Sequence, residues 1–288
     1  TNIISLFLTN QTLKNIASSM IYFLNRNIFK HLNNNIFKFM NYVQNYYKYY
    51  ESDNSNMEKN TVGIFTGCAS DFFQKEVANN CINILKKNKI NSKIIKNVKC
   101  CGSLDYNNGK INQGIINNQL AIKEFEKEKY YSVIGYASGC SAFINKNSNN
   151  INYQDATSFI LNLLENNKVN DYKITKKNIC IHKPCTTKEA EINFDQLIKV
   201  LNMIPGLKVH TFDDNYCCGA GAQNLIHNKE NSASIVEPKI DFIKSNDIEY
   251  LLTYNIGCSL NFINQINIKN IQKIKVMHPI TFLGERLV

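Results

Sequence analysis

The spacing of the cysteines is the feature that most constrains how this chain can fold. Eight of the ten cysteines form two sets with one order: a single cysteine, an adjacent pair and a last cysteine. The single cysteine precedes the pair by 32 positions in both sets, and the two sets are offset by 117 positions, or 118 at the last member. Self-similarity at a fixed spacing indicates an internal repeat of one structural unit. The first set is Cys68, Cys100, Cys101 and Cys140, and the second is Cys185, Cys217, Cys218 and Cys258.

The segments around these cysteines predict strands that alternate with helices. Short β-like runs cover 62–66, 93–95, 132–136, 178–182, 207–211, 250–254 and 274–277, and helical patterns cover 71–89, 111–129, 194–203, 231–245 and 279–287. Such alternation is typical of βαβ units with a mostly parallel sheet. We therefore predict an α/β fold of two tandem Rossmann-like βαβ cysteine-rich domains in a pseudo-two-fold repeat, preceded by an α-helical segment. The predicted boundaries are 1–60 for the helical lead-in and linker, 61–165 for the first domain and 166–288 for the second.

The N-terminal segment carries apolar side chains at helical spacing, among them Leu13, Ile16 and Met20. This period predicts one or two amphipathic helices over residues 1–50, and the polar run 51–60 predicts a linker. We expect these helices to pack on the main body. A docking surface for a partner subunit or a membrane face is the alternative.

The net charge of +10 does not indicate a nucleic-acid partner. Of the 33 basic residues only Arg26 and Arg286 are arginines, and arginine is the residue whose planar fork reads bases and phosphates. We therefore expect no nucleic acid among the partners. The longest apolar runs also fall far short of the ~18 residues that span a bilayer.

The cysteines of both sets fall where a predicted strand ends or a helix is about to begin. In an open α/β sheet, ligand sites form beyond the carboxyl ends of the strands, so that three loops can bring four thiols together. Helix N-termini favour the thiolate form that binds metals. Four soft thiolates select an iron–sulfur cluster or zinc. Disulfides are a further alternative, but adjacent cysteines rarely bond each other, and no export signal is seen.

Adjacent cysteines favour a multi-iron cluster over zinc, because their diverging side chains can reach different irons. The sequence also lacks the Cys-x-x-Cys knuckles of ordinary zinc sites. We predict an iron–sulfur cluster in the second set and also in the first, where zinc is the alternative. Cys81 and Cys180 lie outside the repeat and are expected in the core.

Residues beside the cysteines are predicted to surround the clusters. Both pairs are followed by glycine and both last cysteines are preceded by glycine, which leaves room for a bulky cluster and permits left-handed turns. These glycines are Gly102, Gly139, Gly219 and Gly257. His182 lies three positions before Cys185, and it could donate to a sulfur, act as an alternative ligand, or be a structural histidine near a turn.

The motifs in order resemble the tandem cysteine-rich, or CCG, domain pair. The stretches that carry the resemblance are GCASDFFQKEVANN (67–80), KCCGSLDYN (99–107), ASGCSAF (137–143), HKPCTTKEA (182–190), CCGAGAQNLIH (217–227), NIGCSLNF (255–262) and VMHPITFLGERL (276–287). The pair occurs in one subunit of heterodisulfide reductase, in lactate-utilisation iron–sulfur proteins and in the iron–sulfur subunit of glycolate oxidase, which is the most similar. The resemblance covers about residues 61–288. It also matches His278 to a histidine of the family, which implies a place beside the cluster.

The sequence departs from this family in two ways. Sets of the heterodisulfide reductase type end in Cys-x-x-Cys, whereas Phe143 and Asn261 stand at the last position here. Four thiolates therefore imply one conventional [4Fe–4S] cluster per domain, or a cluster in the second domain alone. The ferredoxin motifs that precede the pair in the family are absent. Because the chain begins at Thr1, we expect an N-terminally truncated chain, or otherwise a ferredoxin-free relative.

The resemblance implies a non-catalytic electron-transfer subunit of a glycolate oxidase-like 2-hydroxy-acid dehydrogenase complex. Its partners would be FAD-containing oxidase subunits, with a ferredoxin domain or a membrane quinone as further partners. We expect the chain in the cytoplasm or peripherally on the inner face of the membrane. The alternatives are a heterodisulfide reductase-like thiol–disulfide reductase subunit and a structural zinc module that docks flavoproteins.

Overall fold

The computed structural model describes residues 10, 12–13, 16, 60–148, 151–166, 171–213, 217–221, 224–271 and 273–288. The predicted helices of residues 1–50 and the predicted linker lie outside these ranges, apart from the few positions named. Within the described ranges the predicted α/β fold is confirmed. Two four-stranded sheets, parallel throughout, are flanked by helices and follow one another along the chain.

The first unit contains the sheet with strand order β2-β1-β3-β4. Every neighbouring pair of strands is parallel, which requires crossover connections between them. Its elements are β1 (Val62–Phe65), α1 (Ala69–Phe73), α2 (Lys75–Lys87), β2 (Ser92–Ile94), α3 (Ser103–Asn107), α4 (Ile111–Glu126), β3 (Ser132–Gly135), α5 (Ser138–Asn147), β4 (Tyr153–Asp155) and α6 (Ala156–Asn166).

The second unit repeats this topology with strand order β6-β5-β7-β8, again parallel at every pairing. The repeated cysteine spacing thus corresponds to two units with the same strand order. Its elements are β5 (Asn178–Ile181), α7 (Phe194–Asn202), β6 (Lys208–Thr211), α8 (Asn224–His227), α9 (Lys229–Ser245), β7 (Tyr250–Leu252), α10 (Ile256–Ile268), β8 (Lys275–Met277) and α11 (Pro279–Gly284).

Several elements were not predicted from the sequence. β4 is a three-residue strand, Tyr-Gln-Asp, in an asparagine-rich stretch without apolar alternation, and the helix α6 follows it directly. α5 begins at Ser138, shortly after β3, and α10 begins at Ile256, shortly after β7, where the sequence indicated no helix. The predicted helix 71–89 is interrupted at Gln74, whose φ of −138° and ψ of 44° are not helical.

The two units share one hydrophobic core. Fully buried Ile64 of β1 and Ile181 of β5 belong to the same apolar cluster, together with buried residues of α2, α6, α7 and α11. The terminal helix of each unit contacts the other unit: α11 packs on α2 of the first, and α6 packs on α7 of the second as well as on its own unit. Lys87 in α2 donates from Nζ to the backbone oxygen of Leu287 at 2.8 Å. The apolar surface of either unit is thus covered by the other.

Candidate metal centre

The eight repeated cysteines lie at the carboxyl ends of the strands, as the sequence predicts. Cys68 follows β1 and is the N-cap residue of α1, and Cys140 and Cys258 are the third residues of α5 and α10. All eight line one cavity of about 1020 Å³, to which both units contribute. Apolar side chains complete the wall: Phe73, Leu104, Phe143, Leu225, Ile226 and Leu260.

The thiols of the first set form a chain of sulfur contacts. The Sγ atoms of Cys68 and Cys100 lie 3.6 Å apart, and Cys101 contacts both Cys100 and Cys140. Cys68, Cys100 and Cys101 are buried. The hydrogen bond with Cys101 is the largest cause that raises the pKa of the Cys100 thiol above its usual range.

The second set repeats this chain of contacts and is more open to solvent. Cys185 contacts Cys217, Cys217 contacts Cys218, and the Sγ atoms of Cys218 and Cys258 lie 2.8 Å apart. Cys185 and Cys217 are exposed, whereas Cys218 and Cys258 are buried. The hydrogen bond from Cys185 holds the pKa of Cys217 well below its usual range. The hydrogen bond from Cys218, assisted by His182, lowers the pKa of Cys258 to about 6.

The Cys-Cys-Gly motif folds into the same turn in both sets. Gly102 and Gly219 adopt left-handed backbone, with φ of 88° and 78°, which a residue with a Cβ adopts only at a cost. Each donates its backbone N–H to the sulfur of the first cysteine of its pair, at 3.3 Å in both units. A Cβ on Gly102 would overlap the backbone oxygen of Gly114 in α4. The glycine of the motif therefore gives a cysteine sulfur a hydrogen-bond donor, and its lack of a Cβ lets α4 in the first unit, and α9 in the second, lie close to the turn.

His182 lies at the second set. Its imidazole is buried and its Nδ1 lies 3.1 Å from Oγ1 of Thr253. A ring nitrogen and the Sγ atoms of Cys218 and Cys258 lie within 4.8 Å of one another, in the one such cluster of three found in the described part of the chain. Nε2 has no nitrogen or oxygen partner among the described residues. A buried ring nitrogen that lacks a nitrogen or oxygen partner is costly unless sulfur satisfies it. His182 interacts with the Cys258 thiol, so its imidazole lies where it could contact a metal or a cluster sulfur.

His278 occupies a different environment. Its Nδ1 accepts from the backbone N–H of Ile280 and so caps α11, while its Nε2 donates to the backbone oxygen of Tyr136 at 2.9 Å. Both ring nitrogens are thus engaged by backbone groups, and the side chain does not line the cavity. The structure gives His278 a role in joining the two units. Its predicted place beside a cluster stays a prediction.

The last cysteine of each set follows a glycine that lies against Asn255. Asn255 caps α10, accepting from the N–H groups of Gly257 and Cys258, and its Nδ2 donates to Oγ of Ser138 and Oγ1 of Thr186. A Cβ on either Gly139 or Gly257 would approach the Asn255 amide to 3.3 Å. Asn255 therefore links the helices that carry both last cysteines.

The comparison with protein families settles the family of this chain. The model of the cysteine-rich domain called CCG matches twice, at residues 62–145 and 179–263, which together make up more than half of the chain. The chain belongs to the CCG cysteine-rich domain family. The two matched ranges fall within the two structural units and contain all eight repeated cysteines.

Three curated relatives show what kinds of protein this chain is similar to. An uncharacterized iron–sulfur protein of Methanococcus maripaludis is 28% identical over 79% of this chain and 47% of its own length. One subunit of the fumarate reductase (CoM/CoB) of Methanothermobacter marburgensis is 23% identical over 77% of this chain and 45% of its own length. Lactate utilization protein A 2 of Bacillus cereus is 23% identical over 78% of this chain and 98% of its own length. The chain thus spans about half the length of the first two relatives.

The CCG donor sets fit an iron–sulfur cluster. Each set offers four thiols that converge from three loops, and no disulfide joins any of the ten cysteines. Soft thiolates of this number are the usual ligands of [4Fe–4S] clusters. The backbone N–H of Gly102 or Gly219 already points to a sulfur in each set, and such donors accompany cluster sulfurs. Cys81 and Cys180 are buried outside both sets, where burial raises the pKa of each to about 12.

Sequence reasoning missed several residues that hold the CCG cysteines in place. Asn118 donates to the backbone oxygen of Cys101, and Asn261 donates to that of the matching Cys218. Thr253 positions His182. The chain contains too many asparagines for composition to single out these two, and their signal is burial, since both are almost fully buried.

Among the described residues, no helix combines the length and apolar character needed to cross a bilayer.

Proposed function

We propose that each cysteine set holds one [4Fe–4S] cluster. The observation that carries this proposal is the convergence of all eight repeated thiols on one cavity, four from each unit. The ligands would be Cys68, Cys100, Cys101 and Cys140 in the first unit, and Cys185, Cys217, Cys218 and Cys258 in the second. Four thiolates complete the terminal ligands of four irons. The name of the M. maripaludis relative, an iron–sulfur protein, supports the same assignment.

The chain acts, in this proposal, as the electron-transfer subunit of a glycolate oxidase-like 2-hydroxy-acid dehydrogenase complex. Clusters of this kind supply one-electron transfer, here between an FAD subunit and a quinone or another acceptor. The protein's own residues hold the thiolates, donate to sulfur from Gly102 and Gly219, and line the cavity with apolar side chains. The names of the lactate-utilization and fumarate reductase relatives support a role in oxidoreductase systems, and the second of them is one subunit of a larger enzyme.

The proposed electron-transfer role also implies partners and a location for the chain. An FAD-containing subunit is the first partner, and a ferredoxin domain or a membrane quinone is the next in line. We place the chain in the cytoplasm or on the inner face of the membrane, where such an acceptor is accessible.

A thiol–disulfide reductase is the second candidate, and one observation favours it. Because both sets line the same cavity, a small disulfide could contact both of them at once. Two residues oppose it, since Phe143 and Asn261 stand where reductases of this type have a fifth cysteine. Asn261 moreover donates to the backbone oxygen of Cys218 at 2.6 Å, so its side chain already has a structural task.

An oxidation experiment separates the two candidates. The chain is purified anaerobically, its clusters are reduced with dithionite and the excess reductant is removed. The reduced protein is then mixed in a stopped-flow instrument with a water-soluble naphthoquinone or with a small-molecule disulfide. We expect rapid reoxidation of the cluster absorbance by the quinone and none by the disulfide. Rapid reoxidation of the clusters by the disulfide, with release of its thiols in proportion to the electrons that the clusters lose, would contradict the first proposal and support the second.

A further inference from the structure

The two CCG units differ at one buried position beside the cysteines. Phe65 ends β1 in the first unit, and His182 stands 117 residues later, directly after β5. This is the offset that relates Cys68 to Cys185 and Cys100 to Cys217. The partner position differs as well, because Gly135 in β3 corresponds to Thr253 after β7. The first unit thus has an apolar ring where the second has an imidazole anchored by a hydroxyl.

The surroundings of these two side chains are well defined. Phe65 is buried and packs edge-on against Phe125 at a centroid distance of 5.3 Å. His182 is 1% exposed and is flanked by the rings of Phe212 and Phe262. Nδ1 faces the hydroxyl of Thr253, and a ring nitrogen of His182 lies within 4.8 Å of the sulfurs of Cys218 and Cys258.

We propose that His182 donates a hydrogen bond from Nε2 to sulfur at the second centre, and that this makes the second centre the more easily reduced of the two. The inference rests on the proposed [4Fe–4S] cluster in each set. Four thiolates fill the four terminal iron positions, which leaves no iron for an imidazole lone pair. Nε2 must then carry the proton, and Nδ1 accepts from the hydroxyl of Thr253. The result is a chain of hydrogen bonds in which Thr253 donates to His182 and His182 donates to sulfur.

Hydrogen bonds to sulfur stabilise the added negative charge of the reduced cluster and so raise its potential. The glycine N–H donor is present in both units at 3.3 Å and therefore does not distinguish them. His182 has no counterpart at the first centre, where Phe65 offers no donor. Solvent exposure acts in the same direction, since Cys185 and Cys217 are exposed whereas Cys68 and Cys100 are buried.

The test is an EPR-monitored redox titration of the loaded protein. In the wild type we expect two [4Fe–4S] signals with different midpoints. The His182→Phe variant reproduces the residue of the first unit and should move only the higher midpoint, to more negative potential. We expect at least a tenfold change in the reduction equilibrium, which is about 59 mV for one electron. The His182→Gln variant keeps an N–H donor and should restore most of the loss.

Thr253→Val provides a second variant that leaves the imidazole in place. Without the hydroxyl donor, Nδ1 can hold the ring proton and Nε2 then loses it, so the same midpoint should again become more negative. Iron content is measured for every variant, so that a shift is not confused with loss of a cluster. If His182→Phe does not retain its second cluster, Thr253→Val decides the question.

The outcomes separate the inference from the proposed function. Two clusters in the wild type with unchanged midpoints in His182→Phe and Thr253→Val would overturn the role of His182 alone. Strong nitrogen hyperfine coupling in pulsed EPR, the signature of an iron-bound imidazole, would also overturn it. A wild-type protein without iron–sulfur signals would overturn the proposed function and this inference together.

Discussion

His278 in the second unit donates from Nε2 to the backbone oxygen of Tyr136 in the first, at 2.9 Å. The corresponding backbone oxygen of the second unit, that of Tyr254, accepts from the N–H of Ser138 at 3.0 Å. In both units, therefore, the backbone carbonyl just after the third strand (β3 or β7) accepts a hydrogen bond from the other unit. Ser138 begins α5, the helix with Cys140, so the join and the thiol sets form one continuous structure.

Replacing His278 should destabilise the protein without touching a thiol. His278→Ala removes the hydrogen bond to the buried backbone oxygen of Tyr136 and the cap of α11, which we expect to cost roughly 2–4 kcal/mol of unfolding free energy. His278→Asn can still cap the helix but cannot reach Tyr136, so it should cost less. Chemical denaturation of the three proteins measures the difference, and equal stability of His278→Ala and the wild type would contradict the assignment.

The buried imidazole of His278 should make the stability of the protein depend on pH. Burial lowers the pKa of His278 to about 3 from the usual 6.5. The folded state binds this proton less readily, so the contribution to stability is present above about pH 6.5 and is lost as the pH falls toward 3. The variants without the imidazole should lose less stability than the wild type over this interval. Identical pH slopes in His278→Asn and the wild type would count against a buried neutral imidazole.

The cysteine positions and the parallel sheets were predictable from the sequence, because strand ends in α/β units converge and the repeat fixes the register of the sets. The link between His278 and Tyr136 was not, because it joins residues 142 positions apart through the docking of the units, which no local pattern encodes. The single shared cavity escaped prediction for the same reason. The His182 environment could be predicted only as far as proximity to Cys185.

The Cys-Cys-Gly turns should not tolerate a side chain at glycine. In Gly102→Ala and Gly219→Ala the left-handed backbone is strained, and the new Cβ overlaps the backbone oxygens of Gly114 and Ser232. Gly109→Ala is the matched control, since its φ is 83° but nothing lies within 4 Å of its Cβ. We expect the control to cost about 1 kcal/mol and to keep its iron, whereas the two site variants lose more stability and lose iron.

Iron analysis and thermal unfolding of the three glycine variants provide the measurement. If all three lose the same stability and retain the same iron, backbone conformation alone explains the glycines and the close approach of α4 and α9 has no role.

Asn255 should couple stability to retention of the second cluster. Asn255→Ala removes the cap of α10, at a cost of about 0.5–2 kcal/mol, and frees the helix start that carries Cys258. Asn193→Ala is the control, because Asn193 is an exposed N-cap residue of α7 that accepts from the N–H of Gln196. We expect a larger loss of stability in Asn255→Ala, because its Nδ2 also donates to Ser138 and Thr186, and a lower iron content only in this variant, after gel filtration in the presence of a mild chelator. Equal iron in both variants would exclude the coupling.

The buried carboxyl of Asp155 should change stability with pH in the direction opposite to that of His278. Its buried carboxyl accepts from Oγ of Ser141 at 2.7 Å and from the N–H of Thr157 at 2.8 Å, and burial raises its pKa from 3.8 to about 6. Stability from the protonated form is present below about pH 4 and is lost as the pH rises toward 6, by roughly 3 kcal/mol in total. Asp155→Asn should therefore gain stability relative to the wild type between pH 4 and 7. Parallel pH curves for the two proteins would show that the carboxyl does not titrate there.

Metal content with EPR of the anaerobically purified wild-type chain is the decisive measurement for the proposed clusters. We predict iron and acid-labile sulfide in equal amounts, corresponding to two [4Fe–4S] clusters per chain. Reduction should give two EPR signals, of which Cys100→Ser and Cys217→Ser each weaken a different one, while Cys81→Ser, outside both sets, retains both. A chain that binds only zinc, or that shows no iron–sulfur signal after reconstitution, would contradict the assignment of both cysteine sets.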